Sequence, residues 1–246
     1  MKKIISSLFL IPIFAIAVVK EKTLMVAMDT TYPPMEFENE KGQPQGFDVD
    51  LAQALAEKIG LKVEYKVMPW DGILAGLVSN RYDIIMSSLN ITQERKKSVD
   101  FIEYVRMGQI FVSKKGSKLV KSIADTKGLI VAAQRDTTSS EFVEKNKKTW
   151  GLKDIKTFVS ATDAFSALKS KQADFIVIDE PVGAYYANLD KKTFEVTGSA
   201  MQTEPIGIAI RKKDKDLYTK LEKALKEIKK EGTYHKIYEK WFGKKA

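Results

Sequence analysis

The chain has 246 residues, 44% hydrophobic and 30% charged, enough for one large globular domain or two small ones. Its net charge of +9 comes from lysines spread along the chain, including Lys212-Lys213 and Lys229-Lys230 on expected solvated helix faces. With no basic-aromatic interleaving, nucleic-acid binding is not expected. The absence of cysteine excludes disulfides, thiol catalysis, Cys-ligated metals and a lipobox anchor; the single histidine, His235, excludes multi-His sites, so neither a metal nor another cofactor is expected.

At the N-terminus, Lys2-Lys3 precede an apolar run over residues 4–19, and Ala15-Ile16-Ala17 offers a small-x-small cleavage site, so residues 1–17 read as a signal peptide. The run falls short of the ~20 apolar residues that span a bilayer, and Pro12 interrupts it, which favours export to the periplasm over anchoring. A buried strand is expected over 24–28, then a helix over 47–59 whose Leu51, Ala52, Leu55, Ala56 and Ile59 share a face, closed by Gly60. A strand over 63–67, a helix over 72–79 and a strand over 84–86 follow. Next come Ser87, Ser88 and Asn90, then Thr92 as an N-cap that places Arg95 in a first helical turn. Strands are expected over 109–113, 129–133, 155–159 and 175–178, with helices over 139–147 and 164–170. Pro181 opens a helix through 188, a strand covers 206–210, and amphipathic helices, the second carrying a solvated His235, cover 214–230 and 234–241. The alternation predicts an α/β fold without a low-complexity linker.

One unit occurs twice. Residues 72–79, Asn80-Arg81-Tyr82-Asp83 and strand 84–86 match residues 164–170, Lys171-Gln172-Ala173-Asp174 and strand 175–178: helix, tight turn, Asp at the strand entrance, buried strand. The first strand leads to a cation, Arg95; the second ends on an anion, Asp179. Ligands of open α/β sheets bind beyond the carboxyl ends of strands, so two such lobes facing each other present Arg95 and Asp179 across one cleft. An α-amino acid carries the matching charges.

The motifs Asp29-Thr30-Thr31-Tyr32-Pro33-Pro34, Gly46-Phe47-Asp48-Val49-Asp50-Leu51, the segment 87–95 and the C-terminal Gly232-Thr233-Tyr234-His235-Lys236-Ile237-Tyr238-Glu239-Lys240-Trp241-Phe242-Gly243 occur in an order that resembles the periplasmic polar amino acid binding proteins of ABC importers. The resemblance implies a two-lobed Venus-flytrap fold, each lobe a mostly parallel sheet flanked by helices: residues 24–107 plus 208–246 form one lobe and 108–207 the other, with hinge strands near 109–113 and 204–210. It implies a monomer that delivers its ligand to a membrane-embedded ABC permease. Carried over by residue, Arg95 takes the α-carboxylate, with backbone donors near Ser88 and Thr138. Asp179, Ser88 and Asn90 take the α-ammonium, and Asp29, Tyr32, Trp70, Ser87 and Gln134 surround the side chain. Tyr32 and Trp70 offer flat faces and Asp29 a counter-charge, which favours arginine over lysine, ornithine, histidine and glutamine.

Two positions depart from the family pattern: Asp136 stands where glycine is usual, requiring an awkward backbone or a different loop and placing a carboxylate near the ligand's own, and Asn90 stands where Ser or Thr is usual. The same fold also resembles cyclohexadienyl dehydratases. That alternative needs a buried general acid, for which Glu180 or Glu204 is nominated.

Overall fold

A computed structural model describes residues 22–243, so the expected signal peptide, residues 1–17, lies outside the described residues. The fold is two-lobed α/β. In chain order the first part runs β1 (Thr23–Met28), β2 (Thr31–Tyr32), β3 (Glu36–Glu38), β4 (Pro44–Gln45), α1 (Phe47–Lys58), β5 (Lys62–Val67), α2 (Ile73–Val78), β6 (Ile84–Ile85), α3 (Gln93–Lys96) and β7 (Val99–Lys114). After a 3-10 turn at Ile123–Thr126 come β8 (Ile130–Gln134), α4 (Thr138–Asn146), β9 (Asp154–Phe158), α5 (Ala161–Lys169), β10 (Phe175–Asp179) and α6 (Glu180–Leu189). The chain then passes through β11 (Phe194–Thr197), β12 (Thr203–Arg211), α7 (Lys215–Lys230) and α8 (Thr233–Phe242).

The main sheet has the order β5-β1-β6-β12-β7-β10-β8-β9, with β11 also on β7, and β2-β3-β4 form a small separate sheet. On one side β1 is parallel to β5 and β6; on the other β8 is parallel to β9 and β10. The strands joining the two sides are antiparallel to their neighbours. Residues 99–108 of β7 pair with β12, and residues 109–113 pair with β10, where Gln109 faces Asp179. The strand expected over 109–113 is therefore the second half of a longer one. Its first half escaped a search for apolar runs because buried Ile102 and Tyr104 are interspersed with charged Asp100, Glu103 and Arg106.

The internal repeat has a structural cause. Asp83 and Asp174 each close a turn by accepting an N–H from the neighbouring strand, Met25 N at 2.9 Å and Ile130 N at 2.7 Å. Each also donates its own N–H back to the same residue's carbonyl, at 2.9 and 2.8 Å. A strand edge that would otherwise lose its first ladder bond is thus satisfied identically in both lobes.

Burial follows the predicted faces. Leu51, Ala52, Leu55 and Ala56 of α1 pack in the same core as Leu221, Ala224, Leu225 and Ile228 of α7, whose i, i+3, i+4, i+7 spacing makes a single apolar stripe. His235 is exposed, as are Lys212-Lys213 and Lys229-Lys230.

Candidate functional site

Strand ends and one helix N-terminus converge on the pocket. Beyond β6 the chain leaves regular pairing at Ser87, Ser88 and Asn90, then enters α3, where the Thr92 hydroxyl accepts the Arg95 N–H at 3.1 Å, as the sequence predicts. Across the cleft, Gln134 ends β8, Thr137 caps α4 through a reciprocal bond with Ser140, and Asp179 ends β10. The first-turn N–H groups of α4 are a ready site for an anionic ligand group.

Nine of the ten expected residues line one pocket: Asp29, Tyr32, Trp70, Ser87, Ser88, Asn90, Gln134, Thr138 and Asp179. Arg95 lies behind Trp70 in an adjoining groove with Arg135, Asp136 and Glu141. Its guanidinium sits 5.7 Å from the Trp70 ring centre and donates to the carbonyls of Asn90 at 3.0 Å and Asp136 at 3.1 Å. The clamp thus approaches the pocket past the indole instead of forming its wall.

Asp136 adopts φ 58°, so of the two expectations for this position the awkward backbone holds, and its carbonyl is turned to accept both Arg95 and the Trp70 indole N–H at 3.0 Å. Asn90 lines the pocket, but its amide donates to Glu204 at 2.7 Å, so this donor is engaged by β12. Glu180 is exposed, Glu204 accepts from both Asn90 and Gln202, and neither nominated acid lines the pocket.

Further bonds cross the cleft: Tyr32 OH to Asp179 Oδ2 at 2.9 Å, Gln134 Nε2 to Asp29 Oδ2 at 2.9 Å, and the Arg135–Asp71 ion pair at the surface. Burial pushes the Asp179 carboxyl up to about 7 against the opposing Tyr32 hydrogen bond. Burial raises Asp29 as well, partly offset by bonds from Thr31 and Gln134, and burial lowers Arg95. Asp179 Oδ1 is buried with no protein partner, an acceptor suited to an incoming ammonium.

Glu36, Thr137 and Ser139 also line the pocket and were not singled out from the sequence. Thr137 and Ser139 flank the expected Thr138 at the α4 start. Glu36 was missed because one acid between Met35 and Phe37 reads as the solvent face of a short strand, yet it is 1% exposed.

Fold and pocket together define a two-lobed binding protein for a small charged ligand. The family model for bacterial extracellular solute-binding proteins, family 3, matches residues 24–244, and the chain belongs to that family. It is 34% identical over 228 residues to the L-cystine-binding protein TcyJ of Escherichia coli (strain K12), covering 92% of this chain and 85% of that one. Among solved structures it superposes with TM-score 0.86 on an ancestral arginine-binding protein bound to arginine, 44% identical, covering 91% of this chain and 99% of that one. An ancestral amino acid-binding protein described as a precursor of cyclohexadienyl dehydratase gives TM-score 0.81 at 43% identity, over 89% of this chain and 95% of that one.

Proposed function

We propose that the chain captures a polar or basic L-amino acid, arginine foremost, in the cleft between residues 24–107 plus 208–246 and residues 108–207, and delivers it to an ABC permease. It would work as a monomer in the periplasm after a signal peptide, residues 1–17, is removed. The observation that carries this is the pairing, in one pocket, of Asp179 with a free buried acceptor oxygen and Asp29 beside the flat faces of Tyr32 and Trp70. In this reading Asp179 and Ser88 take the α-ammonium. The α4 start at Thr138 takes the α-carboxylate with Arg95, and Asp29 and Gln134 meet the far end of the side chain. Asn90 contributes to the wall. The acidic pocket favours a ligand with a second positive charge.

Capture is favoured over turnover because neither nominated acid, Glu180 or Glu204, lines the pocket, and Asp179, which does, is the partner the ammonium needs. Glu36 is held well above the usual carboxylate range by burial, but both its oxygens already accept from Ser87 and Ser88.

A thermal-shift panel of the twenty L-amino acids and ornithine tests the reading. A ligand that binds only the folded state stabilises by roughly 2.7 kcal/mol at 100 times its dissociation constant. Arginine should give the largest shift; no shift from any of them rejects the function. Asp29→Asn, which keeps shape and removes charge, should weaken arginine by about tenfold or more and glutamine much less. Equal losses would make Asp29 a structural residue.

A further inference from the structure

At the pocket floor lies a buried pair of carboxyl groups, one of which lines the pocket, that the proposed function leaves without a role. Glu36 on β3 is 1% exposed and Asp48 in the first turn of α1 is 0% exposed. Their hydrogen bonds converge on two serines. Ser87 Oγ donates to Glu36 Oε1 at 3.0 Å and accepts the Asp29 N–H at 2.9 Å. Ser88 Oγ donates to Glu36 Oε2 at 3.1 Å, and Ser88 N donates to Asp48 Oδ2 at 2.8 Å. Tyr104 OH donates to both oxygens of Asp48, at 2.8 and 2.7 Å. Ser88 itself sits at φ 50°, a left-handed conformation that a non-glycine residue keeps only when its surroundings hold it there.

A serine hydroxyl has one proton and two lone pairs. Ser88 gives its proton to Glu36, so towards the ligand it shows lone pairs alone. We propose that Glu36 is a positioning residue that sets the polarity of the Ser88 hydroxyl, making it an obligate acceptor for the ligand's α-ammonium, while Asp48 holds the Ser88 backbone in the strained turn that aims it there. This deepens the proposed function and rests on that reading of the ligand.

Neither carboxyl is surrounded by cations. The titratable groups facing the pair are Asp29 in the β1–β2 turn, Tyr32 on β2, Tyr104 on β7 and Tyr234 on α8, all anionic or neutral. Two buried carboxylates without a cation are stable only when they share a proton. Consistent with this, burial raises both groups, Asp48 to about 6, and both carboxyls bond to the same residue, Ser88. A proton shared between the carboxyls would leave the other lone pairs of Glu36 as acceptors for the serines.

Glu36→Gln tests this with little change of shape. The amide can give one hydrogen to Asp48, as the shared proton does, but its second hydrogen must go to a serine oxygen. Ser87 Oγ already accepts the Asp29 N–H, whereas Ser88 Oγ only donates within the protein, so Ser88 is the better acceptor and is expected to turn, its hydroxyl then donating into the pocket. Calorimetry on L-arginine and its α-hydroxy analogue, argininic acid, reads the result. Glu36→Gln should weaken arginine by roughly tenfold or more, with a much smaller loss for the hydroxy acid, whose hydroxyl can reverse its own role. Ser88→Ala should collapse the same discrimination, and Glu36→Gln added to Ser88→Ala should cost little more, since the two act through one hydroxyl. Additive losses, or equal losses for both ligands, overturn the proposal, as does undiminished discrimination in Ser88→Ala should Glu36→Gln fail to fold. Infrared spectroscopy of the ligand-free protein gives a readout that needs no ligand: a buried carboxylic acid C=O band present in the wild type, kept in Asp179→Asn, which removes another carboxyl that holds a proton near pH 7, and lost in Glu36→Gln. Its absence from the wild type refutes the shared proton. No binding of any panel amino acid by the wild type rejects the function itself, a result separate from these.

Discussion

At Asp136 a single backbone torsion, φ 58°, puts one carbonyl within reach of both Arg95 and Trp70. Asp tolerates this region better than most residues but less well than glycine. Its carboxylate also adds to the field at Arg95 and Arg135, where it would compete with a ligand carboxylate held as proposed. Asp136→Gly should therefore keep the loop, leave the melting temperature unchanged or higher, and tighten amino acid binding several-fold by calorimetry; weaker binding would show that the carboxylate assists. A pH dependence also follows from burial. Asp179 titrates at about 7, Asp48 at about 6 and Glu36 well above the usual range, whereas in the unfolded chain such carboxyls titrate near ~4. Between these limits the folded protein binds more protons than the unfolded one. The contribution of these groups to stability is thus full below about pH 4 and is lost as pH rises through their folded values. An ammonium held against Asp179 favours its ionised form, so arginine affinity should rise from pH 5.5 to 8 with proton release on binding; a flat profile would contradict the Asp179 contact. Much of this chemistry was legible in the sequence, because polar residues at the ends of apolar strands stand out. The Trp70 wall in front of Arg95 and the burial of Glu36 were not, since both depend on how distant segments meet.

At the scale of elements, the helices and longer strands follow from periodicity and caps, whereas β2, β3, β4 and β11, of two to four residues, are too short to show a period. The small sheet they hid is what carries Glu36. Its contact with α1 depends on Gly46, where an added Cβ would lie 2.2 Å from the Met35 carbonyl oxygen at φ +137°. That oxygen cannot retreat, because it accepts the Asp48 N–H at 2.9 Å. Gly46→Ala should destabilise by roughly 3 kcal/mol or more through overpacking and strain, a fall in melting temperature on the order of 10 °C. Because Glu36 follows Met35 directly, amino acid affinity should fall in the same variant. A mutant with unaltered melting temperature would mean that the helix start can shift without cost.

For the whole molecule, the two sides of the sheet are joined by β7 and β12, whose antiparallel pairing continues from Val99–Arg211 to Gly108–Thr203. Around that joint the cleft is held shut by Tyr32–Asp179, Gln134–Asp29 and the Asp136 carbonyl, bonds that link the proposed lobes directly. These few hydrogen bonds are what an opening motion about the proposed hinge would have to break, so an exchange between open and closed forms is the expectation to test. A ligand shifts that exchange only through affinity that differs between the forms, and touching one lobe alone gives none. An amino acid with its ammonium on Asp179 and its side chain against Asp29 touches both. Small-angle scattering should show a smaller radius of gyration with saturating arginine than without it. Asp179→Ala, which removes the ammonium partner and the Tyr32 bond together, should stay expanded at the same arginine concentration. Identical curves for the wild type with and without an amino acid proven to bind would reject closure, and with it the means by which a permease could distinguish loaded from empty protein.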